Sequence, residues 1–297
     1  MKEVKLEPLV LLFSCDAAYQ FRVNWGFIRN MPEDITSVNY NKISRIYDIS
    51  RVVNTETKEK LIRLLHIVND SVILDMGCGT GNYTYALRRV AKNVIGIDLS
   101  QSMLEQARAK FSKLPLICGD VTSIPFKSET FDGAFAIQVL HHVKEKELFL
   151  REAYRILRKQ ASVAVHACSH QQMRAFWFYY YFPRGLVVDL ERMPDSTEVA
   201  SLLEKVGFSD VGIEICYHDV VVADETPERY LDKDYRNSIS TFAFLTEEEI
   251  EKGCEKIRRD IASGAVESIV QKSETKVAND VGGSSIIYGR KSNLLWR

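Results

Sequence analysis

VILDMGCGTGNY, residues 72–83, runs from apolar residues through an acid into three closely spaced glycines. The run SVILDM (71–76) is bounded by Asn-Asp and Gly, so it reads as a short buried strand. NYTYALRRVA (82–91) behind it reads as a helix. A strand, a bare loop and a helix start together make a ligand site. Helix N-termini present free N–H groups and a partial positive charge. Glycine lets a bulky ligand press on the backbone, because no Cβ intervenes. Open α/β sheets hold ligands outside the carboxyl ends of their strands, near the point where strand order reverses.

Neither phosphate signature is met. A dinucleotide fold wants G-x-G-x-x-G, and this loop is Gly77-Cys-Gly79-Thr-Gly81. A P-loop wants Gly-Lys-Ser/Thr, and the loop has no lysine. Asp98 ends the next apolar run, in VIGIDLS. A carboxylate there can accept both ribose hydroxyls, as the acidic residue of dinucleotide sites does. Asp120, in CGDVTSIPF (118–126), ends a third run and can take the exocyclic amine of an adenine. Ribose and adenine without a pyrophosphate mean an adenosyl ligand with something else at its 5′ end.

Outward from the loop, NVIGIDLS (93–100), PLICGD (115–120), FDGAFAIQVL (131–140) and ASVAVHAC (161–168) read as strands. SMLEQARAKF (102–111) and KELFLREAYRIL (146–157) read as helices. This alternation means βαβ units and a parallel sheet, and strands apolar throughout fit a sheet covered on both faces. Upstream, residues 31–68 have helical spacing, with Ile43, Ile46, Tyr47 and Ile49 on one side, then Leu61, Ile62, Leu64 and Leu65. Thr55 is the expected N-cap of the second of these helices. Downstream the rhythm breaks. QQMRAFWFYYYFPRG (171–185) concentrates its aromatics at 176–182. DSTEVASLLEKVGF (195–208) is a capped helix, DVGIEICYHDVVVA (210–223) a long strand and SSIIYGRK (284–291) a last one. Between those two, LTEEEIEKGCEKIRRDIA (245–262) is an amphipathic helix with Thr246 as N-cap and Glu249 completing a capping box. The expected organisation is an extension (1–30), a core of 31–223 and 284–297 with 171–195 in a cap, and a helical insert or cap (224–283).

The formal net charge of -1 lacks the basic surplus of a nucleic-acid binder. The six cysteines form no CxxC pair and no zinc spacing, so reduced thiols and no metal are expected. No apolar run reaches the ~18 residues of a spanning helix. PLVLLFSC (8–15) is too short for a secretion signal, and MKEVKLE before it has as many acids as bases. A cytoplasmic monomer or homodimer is the expectation.

In order and spacing, LDMGCGTG (74–81), IDLSQSML (97–104), GDVTSIPF (119–126) and FDGAFAIQVLHHV (131–143) resemble the glycine, ribose, adenine and fourth-strand motifs of the class I S-adenosylmethionine-dependent methyltransferases. The likeness is to the small-molecule group that includes the ubiquinone/menaquinone methyltransferases, and it runs from about Tyr40 to Ser169. It implies an α/β, Rossmann-like, doubly wound, seven-stranded, mostly parallel sheet with a helical cap. It implies S-adenosyl-L-methionine as cofactor and in-line methyl transfer to a small-molecule acceptor. By the same resemblance, Gly77, Gly79 and Gly81 approach the methionine part and Asp75 supports that end. Asp98 binds the ribose, with Leu99 and Met103 flanking it and the adenine. Asp120 binds the adenine amine, and Val121 packs near its ring. Gln138 lies near the cofactor sulfur. Tyr47 and Arg51 sit in a helix that closes over the cofactor, with Arg51 placed to pair with the methionine carboxylate. Two features depart from the pattern. LRKQAS (157–162) replaces the usual Leu-Arg-Pro-Gly-Gly, so an altered loop is expected, and a sixty-residue insert stands where relatives often have a tight hairpin.

His142 and His141 follow the fourth strand on the expected acceptor side, and an imidazole there can act as a base if the nucleophile arrives protonated. Ordinary packing is the competing and stronger reading for both, as it is for His166 and His170. Segments 171–195 and 224–283 are expected to cover the acceptor. The aromatic run suits an apolar or aromatic acceptor, or simply buries the cap. Arg236 reads as a polar anchor in that lid. Three alternatives stay open: a non-catalytic S-adenosylmethionine-binding regulator or partner subunit, an arsenite methyltransferase using Cys168 and Cys216, and a tRNA methyltransferase, which the charge disfavours.

Overall fold

A computed structural model describes residues 40–218 and 226–292. Its strands are β1 (Val72–Met76), β2 (Asn93–Asp98), β3 (Leu116–Cys118), β4 (Phe131–Ile137), β5 (Leu157–Ala167), β6 (Phe208–Cys216) and β7 (Ser284–Lys291). They form one sheet in the order β3-β2-β1-β4-β5-β7-β6. All neighbours run parallel except β7, which lies antiparallel between β5 and β6. From β1 the chain steps outward to β2 and β3, then returns to β4 on the other side. That reversal places a crevice at the carboxyl ends of β1 and β4.

Consecutive residues of a strand point to opposite faces, so a sheet covered twice needs apolar residues at every position. In β1, Leu74 joins one core with Phe149, Leu150, Val199 and Leu203. Those residues come from α5 (Lys146–Ile156) and α9 (Ser196–Val206). Ile73 joins the opposite core with Leu61, Leu64 and Leu87. They belong to α2 (Thr55–Leu64) and α3 (Asn82–Leu87).

Several boundaries differ from the sequence expectation. Before α2 there is only the turn α1 (Tyr40–Ile43) and a 3-10 turn, Tyr47–Ile49. Asn54, not Thr55, caps α2, because its side chain accepts from Thr57 N at 3.1 Å. Asx side chains mimic a backbone acceptor there, and Thr55 is already helical. Helix α4 (Gln101–Lys110) is capped by Ser100. The departure at 157–162 is not a separate loop. Leu157 pairs with Phe131, the next pair is Ser162 with Gly133, and Gln160 takes φ 66° in the bulge between. β6 ends at Cys216, and residues 219–223 of the expected long strand lie outside the described residues, as do 1–39.

The cap has two pieces. Between β5 and α9 lie α6 (His170–Met173), α7 (Phe178–Tyr181) and α8 (Pro183–Arg192). Between β6 and β7 lie α10 (Lys233–Asn237), α11 (Glu247–Ser263), α12 (Ala265–Lys276) and a π-helical turn, Val277–Val281. Helix α11 carries the expected Thr246–Glu249 capping box. Aromatic rings join the pieces: Phe178 stacks on Tyr230 at 5.1 Å, and Phe182 meets Phe242 edge-on at 4.9 Å. A glycine inside α11 costs about 1 kcal/mol against alanine. Gly253 is there because a Cβ would stand 2.3 Å from the Phe182 ring. No helix among the described residues is long and apolar enough to cross a membrane.

Candidate active site

The chain leaves β1 through Gly77 at φ 80° and Gly79 at φ 53°, left-handed conformations that glycine adopts without strain. A Cβ on Gly77 would also strike Val139 at 2.5 Å. Gly77 N and Cys78 N both donate to Ile97 O, at 2.8 and 3.0 Å. Asp98 completes the brace: Oδ2 accepts from Gly79 N and Oδ1 from Ser100 N, each at 2.8 Å. Burial raises the Asp98 carboxyl above its usual range, and the two amides pull it back. Beneath the loop, Asp75 is buried and accepts from Thr84 Oγ1 at 2.6 Å. Burial is the main cause that pushes its carboxyl up to about 7, with Asp98 nearby adding to it.

Asp75, Gly77 and Gly79 form one side of a groove of about 70 Å³, and Tyr47, Arg51 and Gln138 the other. Arg51 lies over the Tyr47 ring at 5.6 Å. Gln138 holds φ 53°, rare for a residue with a side chain, where β4 ends. Its N–H donates to His166 O at 3.0 Å, and His166 Nε2 is bonded to Ser284 Oγ at 2.8 Å.

Past Gln138 the groove meets a second cavity of about 430 Å³ whose wall includes Tyr40, Met173, Trp177, Phe178 and Tyr230. Tyr47, Arg51 and Gln138 line both spaces. His141 and His142 stand on the floor of the larger one. Tyr40 OH is hydrogen-bonded to His142 Nε2, and the two imidazoles lie 3.9 Å apart. Burial first, then His142, Arg192 and Arg51, hold His141 well below the usual histidine range, so it is neutral. A buried ion pair braces the cap wall: Arg192 Nε donates to Asp189 Oδ1 at 2.7 Å. Asp189 Oδ2 also accepts from Tyr179 OH (2.8 Å) and Thr241 Oγ1 (2.7 Å).

The other expected residues fall around this frame. Met103 is buried, its methyl 3.4 Å from where a Gly79 Cβ would be. Leu99 is exposed at the end of β2. Asp120 is exposed past β3, its Oδ1 accepting from Thr122 N at 2.8 Å, and Val121 packs on the core. Gly81 turns away from the groove: its Cβ direction meets Leu114 at 2.9 Å, so it lets α3 approach the end of α4. His170 Nε2 is bonded to Met193 O at 2.8 Å, a packing role. Arg236 donates to Tyr230 O at 2.6 Å and braces the insert from within. Cys168 lines the cavity, whereas Cys216 is buried against Thr57. Tyr40 and Asp48 were not singled out by sequence reading. Asp48 adjoins Tyr47 in SRIYDISR and was legible in principle, whereas Tyr40 carried no pattern of its own.

This donor set fits S-adenosylmethionine. The glycine cradle is one a Cβ would fill, two carboxylates stand at the ends of β2 and β3, and an arginine faces the loop. Residues 74–165 match the family described as a methyltransferase domain. A demethylmenaquinone methyltransferase of Tropheryma whipplei (strain Twist) is 26% identical over 196 residues, covering 58% of this chain and 82% of the relative. A 2-phytyl-1,4-naphtoquinone methyltransferase of Nostoc punctiforme is 28% identical over 211 residues, covering 60% and 91%. Among solved structures, a protein of Anabaena variabilis assigned as a methyltransferase of an antibiotic biosynthesis pathway superposes with a TM-score of 0.70 at 26% identity, covering 80% of this chain and 98% of the other. The chain is an S-adenosylmethionine-dependent methyltransferase with the fold of the class I enzymes. Within that class it resembles the menaquinone methyltransferases, and S-adenosylmethionine is its cofactor.

Proposed function

We propose that this enzyme methylates a small, largely apolar aromatic acceptor that carries a dissociable hydroxyl. The observation that supports this reading is the junction of the two spaces: the glycine groove and the aromatic-walled cavity share Tyr47, Arg51 and Gln138. A donor in one and an acceptor in the other meet there in line, which is most of what such a transfer asks of a protein. The quinone names of two relatives point to the same acceptor chemistry. Residues 171–195 and 224–283 act in this reading as the acceptor-binding cap on a core of 31–223 and 284–297.

S-adenosylmethionine supplies a sulfonium-activated methyl group. Asp98 takes the ribose hydroxyls on the lone pairs its amide bonds leave, and Asp120 the adenine amine, with Leu99, Met103 and Val121 flanking the nucleoside. Gly77 and Gly79 admit the methionine part above Asp75, and Gly81 sets the helix behind them. Arg51 pairs with the methionine carboxylate. Gln138 borders the reacting centre. On the acceptor side, loss of the hydroxyl proton makes the oxygen, or a conjugated ring carbon, nucleophilic. His142 Nε2 receives that proton through the Tyr40 hydroxyl already bonded to it. His141, held neutral beside it, leaves His142 as the group that takes the charge. The free thiols of the described cysteines suit a reducing, cytoplasmic setting.

The test is turnover with 1-naphthol, 1,4-naphthohydroquinone, arsenite and bulk tRNA, following S-adenosylhomocysteine. Product with a bicyclic hydroxyl compound, lost in His142→Ala, is the expected result. Selective cofactor binding without turnover of any acceptor would replace the catalytic reading with a binding-only one.

A further inference from the structure

We infer that Asp48 is a positioning residue: a latch that closes the strap of residues 40–54 over the cofactor. This rests on the proposed placement of the cofactor in the glycine groove. The strap carries Tyr40, Tyr47 and Arg51, so it supplies part of the wall of both spaces. Yet it is weakly rooted by packing. Among its described side chains only Ser44 and Ser50 are buried, and neither is apolar. What holds it is a set of polar ties. Ser238 Oγ donates to Ser50 Oγ at 2.7 Å from the cap. Asn54 N donates to Tyr83 OH at 3.1 Å.

The tie beside the groove is Asp48. Its Oδ1 accepts from Thr80 Oγ1 at 2.6 Å, within the glycine loop, and from Asn82 Nδ2 at 3.0 Å, in the first turn of α3. Its Oδ2 accepts from Lys110 Nζ at 2.5 Å, at the end of α4. Lys110 Nζ also donates to Asn82 Oδ1 at 2.6 Å, which closes the ring. One carboxylate therefore gathers donors from three places that surround the groove and belong to the core. The Asp48 and Lys110 side chains are about a third exposed, so water can compete for each bond and the latch can open. Opening is needed, because the closed groove leaves only about 70 Å³. Closing sets the Tyr47 ring 3.9 Å from the Cβ direction of Gly79. A latch of this kind governs how fast ligand leaves more than how fast it arrives.

The test uses the full chain and S-adenosylhomocysteine as probe, with Asp48→Ala, Lys110→Met and the double variant. Calorimetry gives affinity, stopped-flow displacement gives the dissociation rate, and brief proteolysis reads protection of residues 40–54. Losing hydrogen bonds to a charged group predicts release about tenfold faster in Asp48→Ala. Association is no slower than in the parent, the ligand-free protein stays folded with its melting temperature lowered by a few degrees at most, and ligand-induced protection of the strap is lost. Lys110→Met moves the same way by less, and the double variant no further than Asp48→Ala. If Asp48→Ala does not fold, Lys110→Met on the surface decides. Variants that release the probe at the parental rate overturn the latch alone. A parent that does not bind the probe overturns the cofactor placement, and the latch with it.

Discussion

At Gln138 the backbone sits at φ 53°, on the border between the two spaces. A side chain there costs about 1–2 kcal/mol against glycine. Gln138→Gly should therefore raise the melting temperature while lowering kcat, because the amide facing both spaces is gone; a variant that loses both would deny that the strain serves the site. Asp75 gives a pH prediction. Its carboxyl is raised to about 7 when folded, so the native state keeps a proton that the unfolded chain has already lost. Stability should fall as pH rises from about 4, the ordinary carboxylate range, to about 7. Urea unfolding at pH 5 and pH 8 should show this loss in the parent and a smaller one in Asp75→Asn. At this scale the sequence was legible where the backbone demands a residue type: Gly77 and Gly79 take left-handed turns, and Asp98 ends β2. It was mute on Tyr40, whose meaning comes from His142, 102 positions away. At Gly81 it did not show the close approach of α3 to the end of α4, because a packing glycine and a ligand glycine look alike in one dimension.

Among the elements, the inner strands β1, β4 and β5 were readable because burial on both faces leaves an apolar run. The short pieces before α2 were not, since α1 and the 3-10 turn that follows lack the residues to show a period. The bulge at 158–161 was hidden for another reason: it keeps the strand going, and only the pairing of Leu157 and Ser162 with β4 reveals it. Helix α11 offers a sharp test of context against propensity. Gly253→Ala should improve an isolated helix by about 1 kcal/mol. In the protein it should lower the melting temperature, because the added methyl meets Phe182 and the Tyr181 carbonyl. A gain in stability would mean that the α7–α11 contact yields more easily than these distances imply.

Across the whole molecule, the core and its cofactor motifs were legible, and so was the presence of a cap, but not how the cap closes. Its aromatic joints link residues 178–182 to residues 230–242, too far apart in the chain for any local pattern. The Asp189–Arg192 pair ties α8 to Ser240 and Thr241 of the insert. Arg192→Met would leave a buried carboxylate without its cation, a loss of about 3–5 kcal/mol. We expect a looser cap, a raised KM for the acceptor and unchanged cofactor affinity; equal loss of both affinities would show that cap and core do not respond separately. The place where the insert joins the sheet has one more consequence. Cys216 pairs directly with Ser284, so everything between them leaves and re-enters through neighbouring strands. The cost of closing such an excursion rises only slowly with its length. The insert between them is thus an interchangeable cassette, which can lengthen, shrink or be exchanged for another while the sheet keeps every pairing it has.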